Sequence, residues 1–186
     1  IQDNAGRTLY GRDEKTGEFW SAGWKPVCAK PDFYECVHGV GYTAITNRTQ
    51  GIQTQWMVFV PHEEPLEVWR LRVKNMTSRP RTLSVWSYLE WNLGESPDWH
   101  REFHRTFIET SFADSNRVIL ANKRLSPLKN AKGEPWNRTW DWTAWHAVSV
   151  TPKSLSGDKE AFLGNYGSLE SPRAVKKIDA DKAIPW

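Results

Sequence analysis

Residues 52–75 read IQTQWMVFVPHEEPLEVWRLRVKN. Ile52, Thr54, Trp56, Val58 and Val60 fall on one face of an extended chain. Gln53, Gln55, Met57 and Phe59 fall on the other, polar first and apolar later. A side-chain period of two marks a β-strand. Pro61 lacks the amide proton a ladder needs and ends the run. From Leu66 to Asn75 the alternation resumes, with Trp69, Leu71 and Val73 opposed to Arg70, Arg72 and Lys74. Apolar on one side and cationic on the other is the pattern of a half-buried antiparallel strand.

Working outward, Met76–Pro80 reads as a hairpin turn, and Leu83–Trp91 as the returning strand. Leu83, Val85, Leu89 and Trp91 share one face, and Trp86 and Tyr88 the other. Bulk on both faces predicts a strand covered on both sides. Thr106–Phe112, Val118–Lys123 and Trp140–Val150 follow as strands, with loops at Asn92–Arg105 and Leu125–Thr139. In the last strand Trp140, Trp142, Ala144, His146 and Val148 oppose Asp141, Thr143, Trp145 and Ala147. Upstream, Thr8–Gly11 and Glu18–Ser21 form a hairpin around the turn residues Asp13–Gly17. Phe33–Asn47 reads as one longer strand, in which Gly39 and Gly41 mark a bulge or close backbone approach. Beyond Thr151 the alternation stops. Asp158 is placed to cap a short helical turn, KEAFLGNY, and the charged tail from Ser171 is expected to be an extended connector. About nine short strands with almost no helix predict an all-β fold, a large two-sheet antiparallel sandwich.

Composition narrows the function classes. A chain of 186 residues is long enough for one domain with a substantial core. The formal net charge of +3, with no dense block of one sign, argues against nucleic acid as a partner. No apolar run approaches the roughly 18 residues that span a membrane. Cys28 and Cys36 make neither a disulfide framework nor a four-ligand metal site, and are expected as small semi-buried thiols in a reducing cytoplasm. The N-x-S/T triplets at Asn47, Asn75 and Asn137 matter only in a secreted eukaryotic protein. Twelve tryptophans are the outlier. They suit a Trp-rich β core, and they also suit carbohydrate, whose pyranose faces stack on indole.

The loop Asn92–Arg105 holds the densest chemistry: Glu95, Asp98, Trp99, His100, Arg101, Glu102, His104 and Arg105. Loops of this length are often functional. His100 and His104 are four apart, but Glu102 does not follow the first histidine as in H-E-x-x-H, and a β-sandwich loop is not that motif's helix. Glycoside cleavage needs two carboxylates across a cleft, and the sequence selects no pair from Glu90, Glu95, Asp98, Glu102 and Glu109. Gly39-Val40-Gly41 lacks the third glycine and the helix of a dinucleotide fingerprint. The chain shows no self-contained catalytic constellation.

Tyr10–Val27, YGRDEKTGEFWSAGWKPV, resembles the RD-x-x-TG-x-x-WS-x-x-W-x-PV pattern of the inverting β-glycoside phosphorylases, glycoside hydrolase family ninety-four. Tyr34–Thr43 is similar to their YEC-x-HG-x-GYT strand, and Phe59-Val60-Pro61, Glu67–Leu71, Leu83–Val85, Leu89–Trp91, the HREFH loop and Glu160–Gly164 with Tyr166 continue in order. The resemblance spans Thr8–Gly167. It implies a galactose-mutarotase-like supersandwich over residues 1–167, the amino-terminal domain of such enzymes. Residues 168–186 would lead toward a helical linker and an (α/α)6 barrel that carries the aspartate acid and the phosphate site. The implied reaction is reversible phosphorolysis of a β-linked glucose disaccharide or oligosaccharide, such as cellobiose, cellodextrin or cellobionic acid, to an α-sugar 1-phosphate. Inorganic phosphate would be co-substrate, with no metal or organic cofactor. The sandwich would serve dimerisation and the acceptor-side pocket, with His100, Arg101 and His104 as sugar-facing donors and no catalytic residue in this chain. Two alternatives stay open: a stand-alone carbohydrate-binding β-sandwich module, and a mutarotase-like enzyme supported by fold analogy alone.

Overall fold

The computed structural model describes residues 6–94, 106–113, 117–135, 137 and 140–176. Its elements are β1 (Arg7–Asp13), β2 (Phe19–Ser21), β3 (Phe33–Gly39), β4 (Tyr42–Thr49), β5 (Ile52–Phe59), β6 (Val68–Asn75), β7 (Leu83–Leu89), β8 (Ile108–Ala113), β9 (Val118–Lys123), β10 (Trp140–Ala147), α1 (Lys159–Leu163) and α2 (Arg173–Lys176). They build two compact units, one from residues up to Leu89 together with those from Glu160, the other from Glu90 to Lys159. The strands lie in three antiparallel sheets, β3-β4-β5-β6, β2-β1-β7 and β10-β9-β8. The fold class is the expected all-β sandwich.

In the first unit the alternation of residues 52–75 decides the packing. Trp56 pairs with Leu71 and Val58 with Trp69 on one face of the β5–β6 ladder, while Gln55 pairs with Arg72 on the other. The apolar face meets the sheet β2-β1-β7. Leu9 and Ala22 are buried against Trp56, and Ile45, Val58, Trp69 and Leu71 close the cluster. Trp56 and Trp69 meet edge to face with centroids 5.8 Å apart, a geometry the aromatic quadrupole favours. The other face of β1 and β7 carries Tyr10, Trp86 and Tyr88, packed with Phe162, Leu169 and Val175. Residues after Glu160 therefore form a second cover on this sheet. Tyr10 donates its hydroxyl to the Leu169 carbonyl at 2.8 Å, and burial pushes its phenol well above the ordinary range.

The β1–β2 hairpin forms as expected: the Asp13 and Gly17 amides donate to the carbonyls of Glu18 and Asp13. The Asp13 carboxylate accepts from the Lys15 and Thr16 amides at 2.7 and 3.1 Å and from Arg81 Nε. Asp13 is 1% and Arg81 6% exposed, so this is a buried ion pair. Burial pushes the Asp13 carboxyl up, but the Arg81 hydrogen bond, the two amides and the Arg81 charge outweigh it and hold it below the ordinary carboxylate range.

Five local expectations are corrected. Phe33–Asn47 is two strands, since Gly39 pairs with Tyr42 and Val40-Gly41 forms a two-residue hairpin. Gly41 takes a φ of 79°, which glycine accepts without a Cβ penalty. Met76–Pro80 is no hairpin: β6 pairs with β5, and β7 pairs with β1. There the chain changes sheets, steered by Asn75, whose amide donates to the Arg79 carbonyl and whose Oδ1 accepts from Thr77. The strand β7 is covered on the Trp86–Tyr88 face but ends its sheet, and Val85 on the opposite face is 49% exposed. Ser171 onward is not uniformly extended, because α2 forms and Val175 is fully buried. The thiols Cys28 and Cys36 are exposed rather than semi-buried.

Candidate functional site

The sequence points to the loop Asn92–Arg105. Its donors His100, Arg101 and His104, with Glu95, Asp98, Trp99 and Glu102, lie outside the described residues. The second unit shows the base from which the loop departs. Glu90 follows β7 directly, and its carboxylate is 8% exposed. Lys159 Nζ lies 2.9 Å from Glu90 Oε1. Glu90 is thus a buried carboxylate engaged in an ion pair with Lys159.

Leu93 is buried, and Gly94 takes a φ of 99°. A Cβ on Gly94 would lie 2.8 Å from Lys123 Nζ. The chain leaves for the loop by passing directly over a lysine that is itself only 7% exposed. Glycine is required there both for the backbone conformation and for the approach. Lys123 closes β9, where it pairs with Ile108 of β8 and Trp140 of β10.

The returning end is clamped by Arg124. Its amide donates to the Phe107 carbonyl at 2.9 Å, its guanidinium lies 5.6 Å over the Phe107 ring, and its Nε meets Glu109 Oε1 at 2.6 Å. The last pair is open to water on both sides, so its net worth is small. Asn137 ties the second long loop to the same place: Oδ1 accepts from the Ser126 amide at 2.7 Å and Nδ2 donates to the Arg124 carbonyl at 2.8 Å. Both described ends of the loop thus rest on the Lys123-Arg124 corner of β9.

At this corner Arg124 is paired with Glu109, and Lys123 lies buried beneath Gly94. Sequence reasoning singled out Glu90 and Glu109 but missed Lys123, Arg124 and Asn137. The available signal was Lys123 standing on the same strand face as Ile119 and Ala121, an inward position for a charge. Among the described residues no group of three or more metal-ligating side chains converges. The tryptophans are divided: Trp20 and Trp56 are buried, whereas Trp24, Trp142 and Trp145 are half or more exposed. The described ring pairs, Tyr10–Phe162, Tyr88–Phe162 and Trp56–Trp69, sit in cores and make no sugar-stacking platform.

Comparisons with known proteins agree with the fold. A family model described as "Glycosyl hydrolase 94, supersandwich domain" matches residues 1–183. The solabiose phosphorylase of Paenibacillus borealis is 34% identical over 170 residues, covering 91% of this chain and 21% of that protein. The 3-O-beta-D-glucopyranosyl-beta-D-glucuronide phosphorylase of the same organism is 36% identical over 184 residues, covering 92% and 21%. The N,N'-diacetylchitobiose phosphorylase of Vibrio furnissii is 29% identical over 178 residues, covering 94% and 21%. The chain spans about a fifth of the length of these curated relatives.

Proposed function

The chain belongs to the glycosyl hydrolase 94 supersandwich family, and from that premise we propose that it is the amino-terminal, non-catalytic part of an inverting sugar phosphorylase. The match over residues 1–183, at about a fifth of the length of phosphorylases, carries the proposal. The complete enzyme would cleave a β-linked glucose disaccharide or oligosaccharide with inorganic phosphate, without a metal or organic cofactor, in the cytoplasm. The supersandwich would contribute to a homodimer and to the acceptor-side pocket.

Within that pocket the Asn92–Arg105 loop would present His100, Arg101 and His104 to the acceptor sugar. A base pinned at Gly94 and Arg124 supports this role, because a loop lends donors well only from a fixed foundation. Arg101 suits an acidic acceptor, since the guanidinium fork matches a carboxylate. A relative whose name specifies a glucuronide makes that chemistry relevant.

The test uses neutral and carboxylate-bearing β-glucosyl disaccharides with phosphate. The enzyme containing this chain should release sugar 1-phosphate, and the 186-residue chain alone should release none. Turnover by the isolated chain would overturn the proposal. In the complete enzyme Arg101→Ala should raise the acceptor KM about 10- to 100-fold, the equivalent of one charge-assisted hydrogen bond, and leave the phosphate KM unchanged. Equal losses for both would remove Arg101 from the acceptor side.

A further inference from the structure

The first unit carries a nucleophile, a base and an orienting hydroxyl that the phosphorylase role does not use. Cys36 and His38 are two residues apart on β3 and so stand on one face of the strand. Cys36 Sγ lies 3.6 Å from His38 Nε2. His38 Nδ1 lies 3.0 Å from Thr43 Oγ1, on the residue directly opposite it in β4. Each ring nitrogen therefore has one partner. When Nδ1–H donates to the Thr43 hydroxyl, the Nε2 lone pair faces the thiol, which is the order of parts in an activated nucleophile. β3 is the edge of its sheet and is exposed from Phe33 to His38, so the thiol is open to reagents. Tyr34 stands on the same face, and its phenol is pushed up first by burial and then by Cys36.

We propose that Cys36 is a base-assisted thiol that exchanges with small-molecule disulfides, with His38 as its base and Thr43 as the positioning residue. The thiol proton passes to His38 Nε2. The thiolate attacks one sulfur of the disulfide, so a bond forms between Cys36 Sγ and that sulfur while the original S–S bond breaks. The released thiolate takes the proton back from His38 and leaves as a thiol. Cys36 ends oxidised as a mixed disulfide and the reagent ends half reduced, with no other oxidant needed. Cys28 lacks such a described partner set and is also exposed, so it serves as an internal reference.

The experiment incubates the full chain with oxidised glutathione at pH 7 and follows each cysteine by peptide mass. An ordinary thiol with a pKa of about 8.5 is only about 3% thiolate at pH 7. Base assistance from His38 should make Cys36 react about tenfold faster than Cys28. His38→Gln should bring Cys36 to the Cys28 rate. Thr43→Val should slow it severalfold and Thr43→Ser should preserve it, which a merely structural threonine would not require. Equal rates at the two cysteines, or a Cys36 rate indifferent to His38→Gln, would overturn the proposal.

Discussion

The buried pair between Asp13 and Arg81 offers the sharpest test of how the first unit holds together. The perturbation is Arg81→Met, which keeps the bulk of the side-chain stem and removes the guanidinium. In the native fold Asp13 is 1% exposed and accepts three hydrogen bonds, one from Arg81 and two from the Lys15 and Thr16 amides. Arg81 also donates from Nη1 to the Gln50 carbonyl at 3.1 Å, tying the β4–β5 turn to the β1–β2 turn. Removing one partner of a buried ion pair costs about 3–5 kcal/mol, because the other charge stays desolvated. The two retained amides place the loss at the low end, about 3 kcal/mol. Against a whole-domain stability of about 5–15 kcal/mol, that is a large fraction.

The assay is urea unfolding of wild type, Arg81→Met, Asp13→Asn and the double variant. The double variant should lose less than the sum of the singles, with a coupling of about 2 kcal/mol. The pH dependence has a definite sign. A carboxyl held below its ordinary range contributes stability that is present above its unfolded pKa, about 3.9, and lost as pH falls through the lower folded value. In Arg81→Met the lowering hydrogen bond and charge are gone, so the further loss of stability on acidification below about pH 4 should be smaller than in wild type. A loss under about 1 kcal/mol at pH 7 with an unchanged m-value, as for an exposed pair, would refute the reasoning.

Three further outcomes follow from the geometry. His146 on β10 is held below the ordinary imidazole range by burial; its contribution is present above about 6.5 and lost on acidification through the lower folded value, so His146→Gln should flatten the urea midpoint between pH 7 and 5. Val175→Ala should cost about 2 kcal/mol for a fully buried side chain, and limited proteolysis should then cut the segment after Glu160 faster than in wild type. Gly94→Ala should cost about 1–3 kcal/mol, because a side chain at a φ of 99° is strained and meets Lys123; thermal unfolding measures it, and a variant as stable as wild type would show that the loop base is soft.

Much of the fold was legible in the chain. The alternation of residues 52–75 determined by itself that these segments are strands and which face of each is apolar, and Trp56, Val58, Trp69 and Leu71 do face the core together. That follows because a side-chain period of two is a property of the local backbone. The tight β1–β2 turn was equally local, since Asp13 caps amides two and three residues away. The candidate site was legible only as a concentration of donors in one loop, because which side chains converge depends on segments far apart in sequence. Lys123 under Gly94 and Asn137 under Arg124 left little trace in composition.

Only the tertiary structure decided the partners. The glycines at 39 and 41 read as a bulge or close approach within one strand, and the pairing of Gly39 with Tyr42 makes a hairpin instead. The bend after β6 fits a hairpin turn until β7 finds β1, some seventy residues upstream, and leaves β6 to β5. Asp13 and Arg81 are 68 residues apart, and Tyr10 and Leu169 are 159 apart. Periodicity reports what one strand needs to bury; it carries no information on which distant surface does the burying, and that is settled by the packing of the whole chain.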